Sequence, residues 1–528
     1  MIPTPEGRSL LYKLRPITDR LPAVTRPEGH VHFRTKMIWV LVVLVLYFAL
    51  TNVYIYGLDR GQVVDFFRSL RAILAGAQGS ILHLGIGPIV TASIILQLFA
   101  GAKIIRLDLT KEEDKAIYQG TQKFLVIVMI VVESIPQVFG FLRPSQAFVE
   151  MLDVSVAGYG DMLAKAIIVI QLCIGSYLIF LMDEVVSKWG IGSGISLFIA
   201  AGVSQAIFTG TFNWMPANPG DPTPAGTIPK TLYYLQTMSA QEISSGGYEV
   251  ILLREPNPLI ALVSTVIIFL LVAYAESTRI ELPLAHGMAR GARGRYPFKL
   301  IYASVLPVIL VTAVLANVSM FTLLFWQNPD WPLVGRQYWM GAYADPAGDL
   351  VRNNIIRPTT PIGGVAYYMS TINGLRDWLL PLVAPDRYGA IYAAFDKTPL
   401  QILIHVIVYV SVFVVGSIIF ARFWIETTGM GPEGVAKQIQ SSGLQIPGFR
   451  RDPRVLKRIL ERYIPVVTVI SGAAVGVLAV GADLFGTVGN ASGTGVLLAV
   501  GILIQFYEAI GKEQMMEMHP LLRNFFGS

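Results

Sequence analysis

The stretch VDFFRSLRAILAGAQGSILHLGIGPIVTASIILQLFAGAK, residues 64–103, decides the fold. In its first part Phe66, Leu70, Ile73, Leu74 and Ala77 recur at helical spacing, and Arg68 and Arg71 interrupt the apolar run. That piece is too short and too charged to cross a bilayer, whose core needs about 20 apolar residues. Gly76, Gly79, Gly85 and Gly87 then break the pattern, and Pro88 follows. From Ile86 to Ala102 an apolar helix resumes that is long enough to span with its flanks. Two readings fit: a short re-entrant helix that hands over to a spanning one, or a single kinked helix. Irregular backbone at membrane depth survives only where protein buries it or where it lines a water-filled cavity. The re-entrant reading therefore points to a cavity or pore.

The rest of the chain is equally apolar. Its 528 residues are 53% hydrophobic and 14% charged, against about 25% charged in soluble proteins. This composition describes a polytopic membrane protein. The single cysteine, Cys173, lies in an expected span and excludes an intrachain disulfide. The N-terminus shows no apolar signal core, so no cleavable signal peptide is expected.

Ten spans are expected, with cores at 37–56, 85–102, 122–142, 162–182, 191–212, 257–275, 300–324, 400–421, 463–481 and 493–510. An even number puts both termini on one side. The tails and loops on that side hold more than twice as many Lys and Arg as the opposite side, which makes it cytoplasmic. Residues 1–36 form a cytoplasmic tail. Its apolar stripe of Leu10, Leu11, Leu14, Ile17 and Leu21 beside Lys13, Arg15 and Arg20 reads as an interfacial helix or as a solvated tail. An N-terminal half, 37–212, is followed by an external loop, 213–256, and a C-terminal half, 257–510. That half holds cytoplasmic loops at 276–299 and 422–462 and a long external loop at 325–399. A cytoplasmic tail, 511–528, ends the chain. Five spans plus five permit an inverted repeat, although no self-similarity is visible in the residues.

No catalytic set stands out. There is no phosphate-binding loop, nucleophile elbow or zinc-protease motif, and His30 and His32 have no acid or thiol cluster beside them. Glu133 is the one acid well inside a span, a functional candidate by default. Ile86 and Val90 are four apart on one helix, as are Ile195 and Ile199 on another, and each pair follows a glycine-rich start. Such side chains pack against neighbours or lipid, or they meet as a hydrophobic constriction that blocks ions by dewetting. The basic cytoplasmic loops are topology signals, sites for anionic lipid, or docks for an anionic partner such as RNA.

Named motifs run along nearly the whole chain: LGIGPIVTASIILQL (84–98), DEVVSKWGIGSGISLFIAAGVSQ (183–205), YAE (274–276), ELPLAHG (281–287), YPFKLIY (296–302), FWIETTG (423–429), IPGFR (446–450), RYIP (462–465) and GTGVLL (493–498). In these the chain resembles the SecY family of protein-conducting channels, in its archaeal and eukaryotic branch. The resemblance implies an all-α fold of ten transmembrane helices in two pseudo-symmetric five-helix halves with a re-entrant plug helix at about 64–79. It implies that Phe66, Phe67, Leu70, Ile73 and Leu74 belong to that plug. It makes Ile86, Val90, Ile195, Ile199, Ile309 and Leu498 a pore ring, and Arg290 and Arg450 arginines that face a ribosome. A lateral gate is implied between helices 2 and 3 on one side and 7 and 8 on the other. The implied partners are a SecE-type gamma subunit with one span, a small tail-anchored beta subunit, a ribosome, unfolded or nascent polypeptide with its signal sequence, and the lipid bilayer. No cofactor is implied.

One departure stands out. Similar channels carry Asn two residues before the helix 7 proline, within a polar cluster at the gate. Here Ser304 and Val305 precede Leu306-Pro307, so a weakened or rearranged cluster is expected. The reading is therefore the central subunit of a protein translocation channel in the cell membrane, with both termini cytoplasmic and no enzymatic activity. The alternative is a secondary transporter for a small solute. It would need a polar mid-membrane site, for which Glu133, Gln97 and Gln171 are the candidates.

Overall fold

A computed structural model describes residues 10–518, apart from 30, 60–70, 72, 102–103, 106, 108–111, 141, 156–157, 217–221, 287–292, 300–304, 330–334, 345–358, 390–391, 393–396, 442–443 and 446–452. Ten apolar helices run through it: α1 (Phe33–Thr51), α2 (Gly87–Gly101), α3 (Glu112–Gly140), α4 (Gly160–Trp189), α5 (Gly194–Phe212), α6 (Leu259–Ser277), α7 (Leu306–Gln327), α8 (Pro399–Thr427), α9 (Pro453–Phe485) and α10 (Gly493–Met518). Among the described residues, nine are long and apolar enough to span a membrane. The exception is α2, whose 15 residues cover about 22 Å against a core of about 30 Å.

The segment leading into α2 explains the shortfall. Residues 64–70 of the expected plug helix lie outside the described residues. The described remainder, through Ile86, is a chain of turns and not the continuation of a helix. Two contacts enforce this. Ile86 N donates to Leu74 O at 2.8 Å, which folds the segment back on itself. Gly85 has φ +59, and a Cβ there would lie 2.0 Å from Leu74 O, so only glycine fits. Neighbours satisfy further groups of the irregular backbone. Ile81 N bonds Val53 O at 2.8 Å, Ile55 N bonds Gly79 O at 2.9 Å, and the Tyr47 hydroxyl donates to Ala75 O at 3.1 Å. Gly175 of α4 leaves room for Ile81 O, which would lie 1.9 Å from a Cβ. The irregular chain is thus buried by protein, as its depth requires.

The two halves are visible in the packing. In the first, α2 packs on α3, α3 on α4, α4 on both α1 and α5, and α1 on α5. In the second, α7 packs on α8, α8 on α9, α9 on both α6 and α10, and α6 on α10. Adding five to each helix number turns the first set of pairs into the second. Most contacts between halves follow the same rule: α5 meets α10, α2 meets α7, and α2 with α8 mirrors α3 with α7, while α1 with α10 and, within the second half, α7 with α9 stand outside it. Equivalent helices also start alike. Pro88 is the second residue of α2 and Pro307 the second of α7, where a missing N–H costs nothing. Of the ten, α7 is the most enclosed and α1 among the least.

Outside the bundle, β1 (Arg279–His286) and β2 (Arg293–Lys299) form an antiparallel hairpin between α6 and α7. Short strands β3 (Ala342–Tyr343) and β4 (Pro361–Gly363) pair in the α7–α8 connection. β5 (Leu444–Gln445), between α8 and α9, adds to β1 through Ala285 and His286, so one sheet joins two separate loops. The tail stripe is helical only over Leu10–Leu14 and Arg15–Thr18. Hydrogen bonds tie the tail to the bundle: Tyr12 bonds Asp114 of α3, Val24 N bonds Glu184 at 2.8 Å, and the Trp189 indole bonds Thr25 O at 2.9 Å.

Candidate functional site

Four helices carry the six candidate ring residues, all near their starts. Ile86 immediately precedes α2 and Val90 lies in its first turn. Ile195 and Ile199 occupy the first two turns of α5, Ile309 the first of α7 and Leu498 the second of α10. Five of the six are buried and Ile195 is half-buried, and all belong to one continuous apolar cluster. Ile73 and Ala75 from the turns before α2 belong to the same cluster. Gly495, in the first turn of α10, admits them closely: a Cβ there would lie 3.3 Å from both Ile73 Cγ1 and Val203 Cγ2 of α5. Leu74 is buried on the other side of its turn, against Met320 and Leu323 of α7. Phe66, Phe67 and Leu70 lie outside the described residues, as do Arg290 and Arg450. The stretches holding these two arginines follow β1 and β5, which are neighbours in one sheet.

A polar contact between the halves lies about three turns beyond the α7 proline. Asn317 Nδ2 donates to Thr91 Oγ1 of α2 at 3.0 Å and to its own Ala313 O at 3.0 Å. Thr91 lies beside the Glu133 carboxylate of α3, and the two line a small cavity with Gln137, Leu74 and Asn317. Glu133 Oε1 and Gln137 Oε1 are buried and have no hydrogen-bond partner among the described residues. Sequence reasoning found Glu133 but missed Asn317, although a carboxamide in the middle of so apolar a helix is the same kind of signal. Gln171, a candidate for a solute site, lies within α4, bonds Tyr56 N and O in the connection after α1, and does not join the cluster.

The opposite contact between the halves is built from backbone. Gly489 has φ +76 and lies so close to α5 that a Cβ would meet Ala206 O at 1.8 Å. Asn257, just before α6, accepts from Gly489 N and donates to Ala225 O, both at 2.8 Å. Thr227 donates to Gly210 O at 3.3 Å and to Asn257 O at 3.1 Å. The buried Lys230 ammonium donates to Arg254 O, Pro256 O and Asn257 O at 2.6, 2.5 and 3.0 Å, one carbonyl per proton. Burial, with the Arg254 charge beside it, pushes this lysine down to about 8. No group of three His, Cys, Asp or Glu side chains arranged for a metal ion occurs among the described residues.

Comparison with known proteins agrees with this architecture. The SecY family model matches residues 80–507, and the plug domain of Sec61p matches residues 45–79. Protein translocase subunit SecY of Archaeoglobus fulgidus is 46% identical over 98% of this chain and 99% of its own length. That of Haloferax volcanii is 46% identical over 97% and 98%. A solved structure of a protein-conducting channel superposes with a TM-score of 0.73 at 35% identity, covering 96% of this chain and 98% of the other. Sec61 in a canine ribosome-channel complex from the endoplasmic reticulum gives 0.70, at 35% identity and the same coverage. With nearly full-length relatives, a matching plug domain and a bundle of two equivalent halves, the chain belongs to the SecY family.

Proposed function

We propose that the chain is the central pore-forming subunit of a protein translocation channel. It conducts unfolded polypeptide outward and releases apolar segments sideways into lipid. The observation that carries this reading is the shared apolar cluster. Helix starts from both halves, α2 and α5 with α7 and α10, contribute to it, and the turns of the plug base rest against it. Aliphatic side chains offer no hydrogen-bond code, so they can close around a chain of any sequence. With no chain present they exclude ions, because a hydrated ion loses solvation that they do not replace.

Sideways release takes place where α2 and α3 meet α7 and α8. There the transfer energy of the exposed segment decides, from roughly −0.5 kcal/mol for a central Leu to about +3 for a central charge. The channel performs no bond chemistry, and a partner supplies the driving force. In this reading that partner is a translating ribosome at the loops bearing Arg290 and Arg450, on the side of both termini, in the cell membrane. A single-span subunit clamps the halves, 37–212 and 257–510, and a tail-anchored subunit accompanies it.

The test is conductance. Ile195→Ser and Ile309→Ser, reconstituted in vesicles, are expected to raise resting ion flux about tenfold or more, since a polar ring wets more readily. Unchanged flux in both, with translocation intact, would remove the ring from the mechanism.

A further inference from the structure

The equivalence of the halves extends to single residues. α5 and α10 both start on a Ser-Gly pair, Ser193-Gly194 and Ser492-Gly493. Leu197 N bonds Ser193 O and Val496 N bonds Ser492 O, each at 3.1 Å. Counted from these bonds, Ile199 and Leu498 occupy equivalent places, and so do Ile195 and Thr494.

A helix start leaves N–H groups without intrahelical partners, and inside an apolar bundle water does not supply them. In both helices an aspartate from the preceding helix does so. Asp183 of α4 accepts from Ile195 N at 3.0 Å and from Gly194 N. Asp483 of α9 accepts from Thr494 N at 3.0 Å and from Gly493 N, and also from the hydroxyls of Thr494 at 2.6 Å and Tyr409 at 2.8 Å. Both glycines lie hard against the helix that supplies the carboxylate. A Cβ on Gly194 would be 2.5 Å from Asp183 Cα, and one on Gly493 would be 2.3 Å from Asp483 N. The helix dipole adds to the attraction of each carboxylate.

We propose that Asp183 and Asp483 are twofold-related positioning residues. Each pins the first turn of the helix that carries ring side chains, and together they set the register of α5 against α10. A carboxylate that binds two successive N–H groups fixes both the depth and the rotation of a helix start. Ile195, Ile199 and Leu498 lie within two turns of those anchors, so the shape of the constriction follows from them. The effect on conduction rests on the constriction reading above, whereas the effect on register does not.

Cross-linking reports register directly. Val203 and Gly495 face each other across the α5–α10 contact. A Val203→Cys, Gly495→Cys pair in a Cys173→Ser background, within the reconstituted full channel, is expected to form a disulfide on mild oxidation, since that bond tolerates little displacement. Asp183→Ala and Asp483→Ala are expected to slow its formation at least about threefold, and Asp183→Asn to restore it, because Asn caps nearly as well as Asp and Ala does not. If an alanine variant does not fold, Asp183→Glu takes its place. It keeps the charge but displaces the carboxylate by one methylene, and is expected to slow cross-linking as well. Wild-type rates in the alanine and glutamate variants, or an Asn variant as slow as Ala, would overturn the proposal. Slowed cross-linking supports it even where Ile195→Ser and Ile309→Ser leave ion flux unchanged, a result that removes the constriction alone.

Discussion

Where α5 meets α10, the halves touch through glycine backbone, and every polar group named there has a partner: Asn257 uses both ends of its amide and Lys230 all three of its protons. Where α2 and α3 meet α7, the halves touch through Thr91, Asn317 and Glu133, and buried oxygens of Glu133 and Gln137 beside a small cavity have no hydrogen-bond partner among the described residues. A satisfied buried network is costly to open, whereas a half-satisfied one gains hydrogen bonds when water or another chain enters. In the proposed channel the first contact is the hinge and the second is the gate.

The largest expected effect breaks the satisfied side. Asn257→Ala strands Gly489 N–H and Ala225 C=O and places alanine at φ +56. Two orphaned groups plus left-handed strain cost about 3 kcal/mol. Thermal unfolding of the purified channel measures this, and a loss below about 1 kcal/mol would mean that this contact does not depend on the Asn257 hydrogen bonds.

A smaller effect concerns pH. Lys230 is held at about 8 in the folded channel, below about 10.4 in the unfolded chain. Between those values the unfolded chain carries a proton that the folded one lacks, so stability rises with pH there, and below about pH 8 this group gives no pH dependence. The stability of wild type minus that of Lys230→Met is therefore expected to be flat to about pH 8 and then to climb by on the order of 2 kcal/mol. A difference that is flat up to pH 10 would show that the carbonyl cage keeps the ammonium charged.

The smallest effect sharpens the gate side. Asn317→Leu replaces a buried polar contact by an apolar one and is expected to favour the closed seam by about 1 kcal/mol. That corresponds to roughly fivefold less opening, so translocation should demand a more hydrophobic signal segment. Easier opening in this variant would mean that the Asn317–Thr91 bond opposes closure less than it supports it.

How much of this was legible in the residues differs from place to place. Glycines at 76, 79, 85 and 87 before Pro88 announce a broken element at membrane depth, because no neighbour is needed to see that a helix fails there. The tail stripe Leu10–Leu21 announces an amphipathic surface but not that its neighbours are α3 and α4, since hydrogen bonds such as Val24 to Glu184 cross most of the N-terminal half. The expected plug helix extends in register to Ala77 by spacing alone, yet the bond from Ile86 to Leu74 turns that end into loops.

By itself the sequence determined that the chain is an apolar helical bundle, where its spans run, where one of them breaks and which family motifs it carries. These follow from the transfer energy of each segment into lipid, a property local to that segment. Only the tertiary structure decided which polar residues meet between the halves and which buried oxygens have no partner among the described residues. Thr91 and Asn317, Asn257 and Gly489, and Lys230 and its carbonyls are partners only once the chain is folded. A polar residue's energy inside a membrane depends on whether it finds a partner, and that partner's place is set by the packing of the whole bundle.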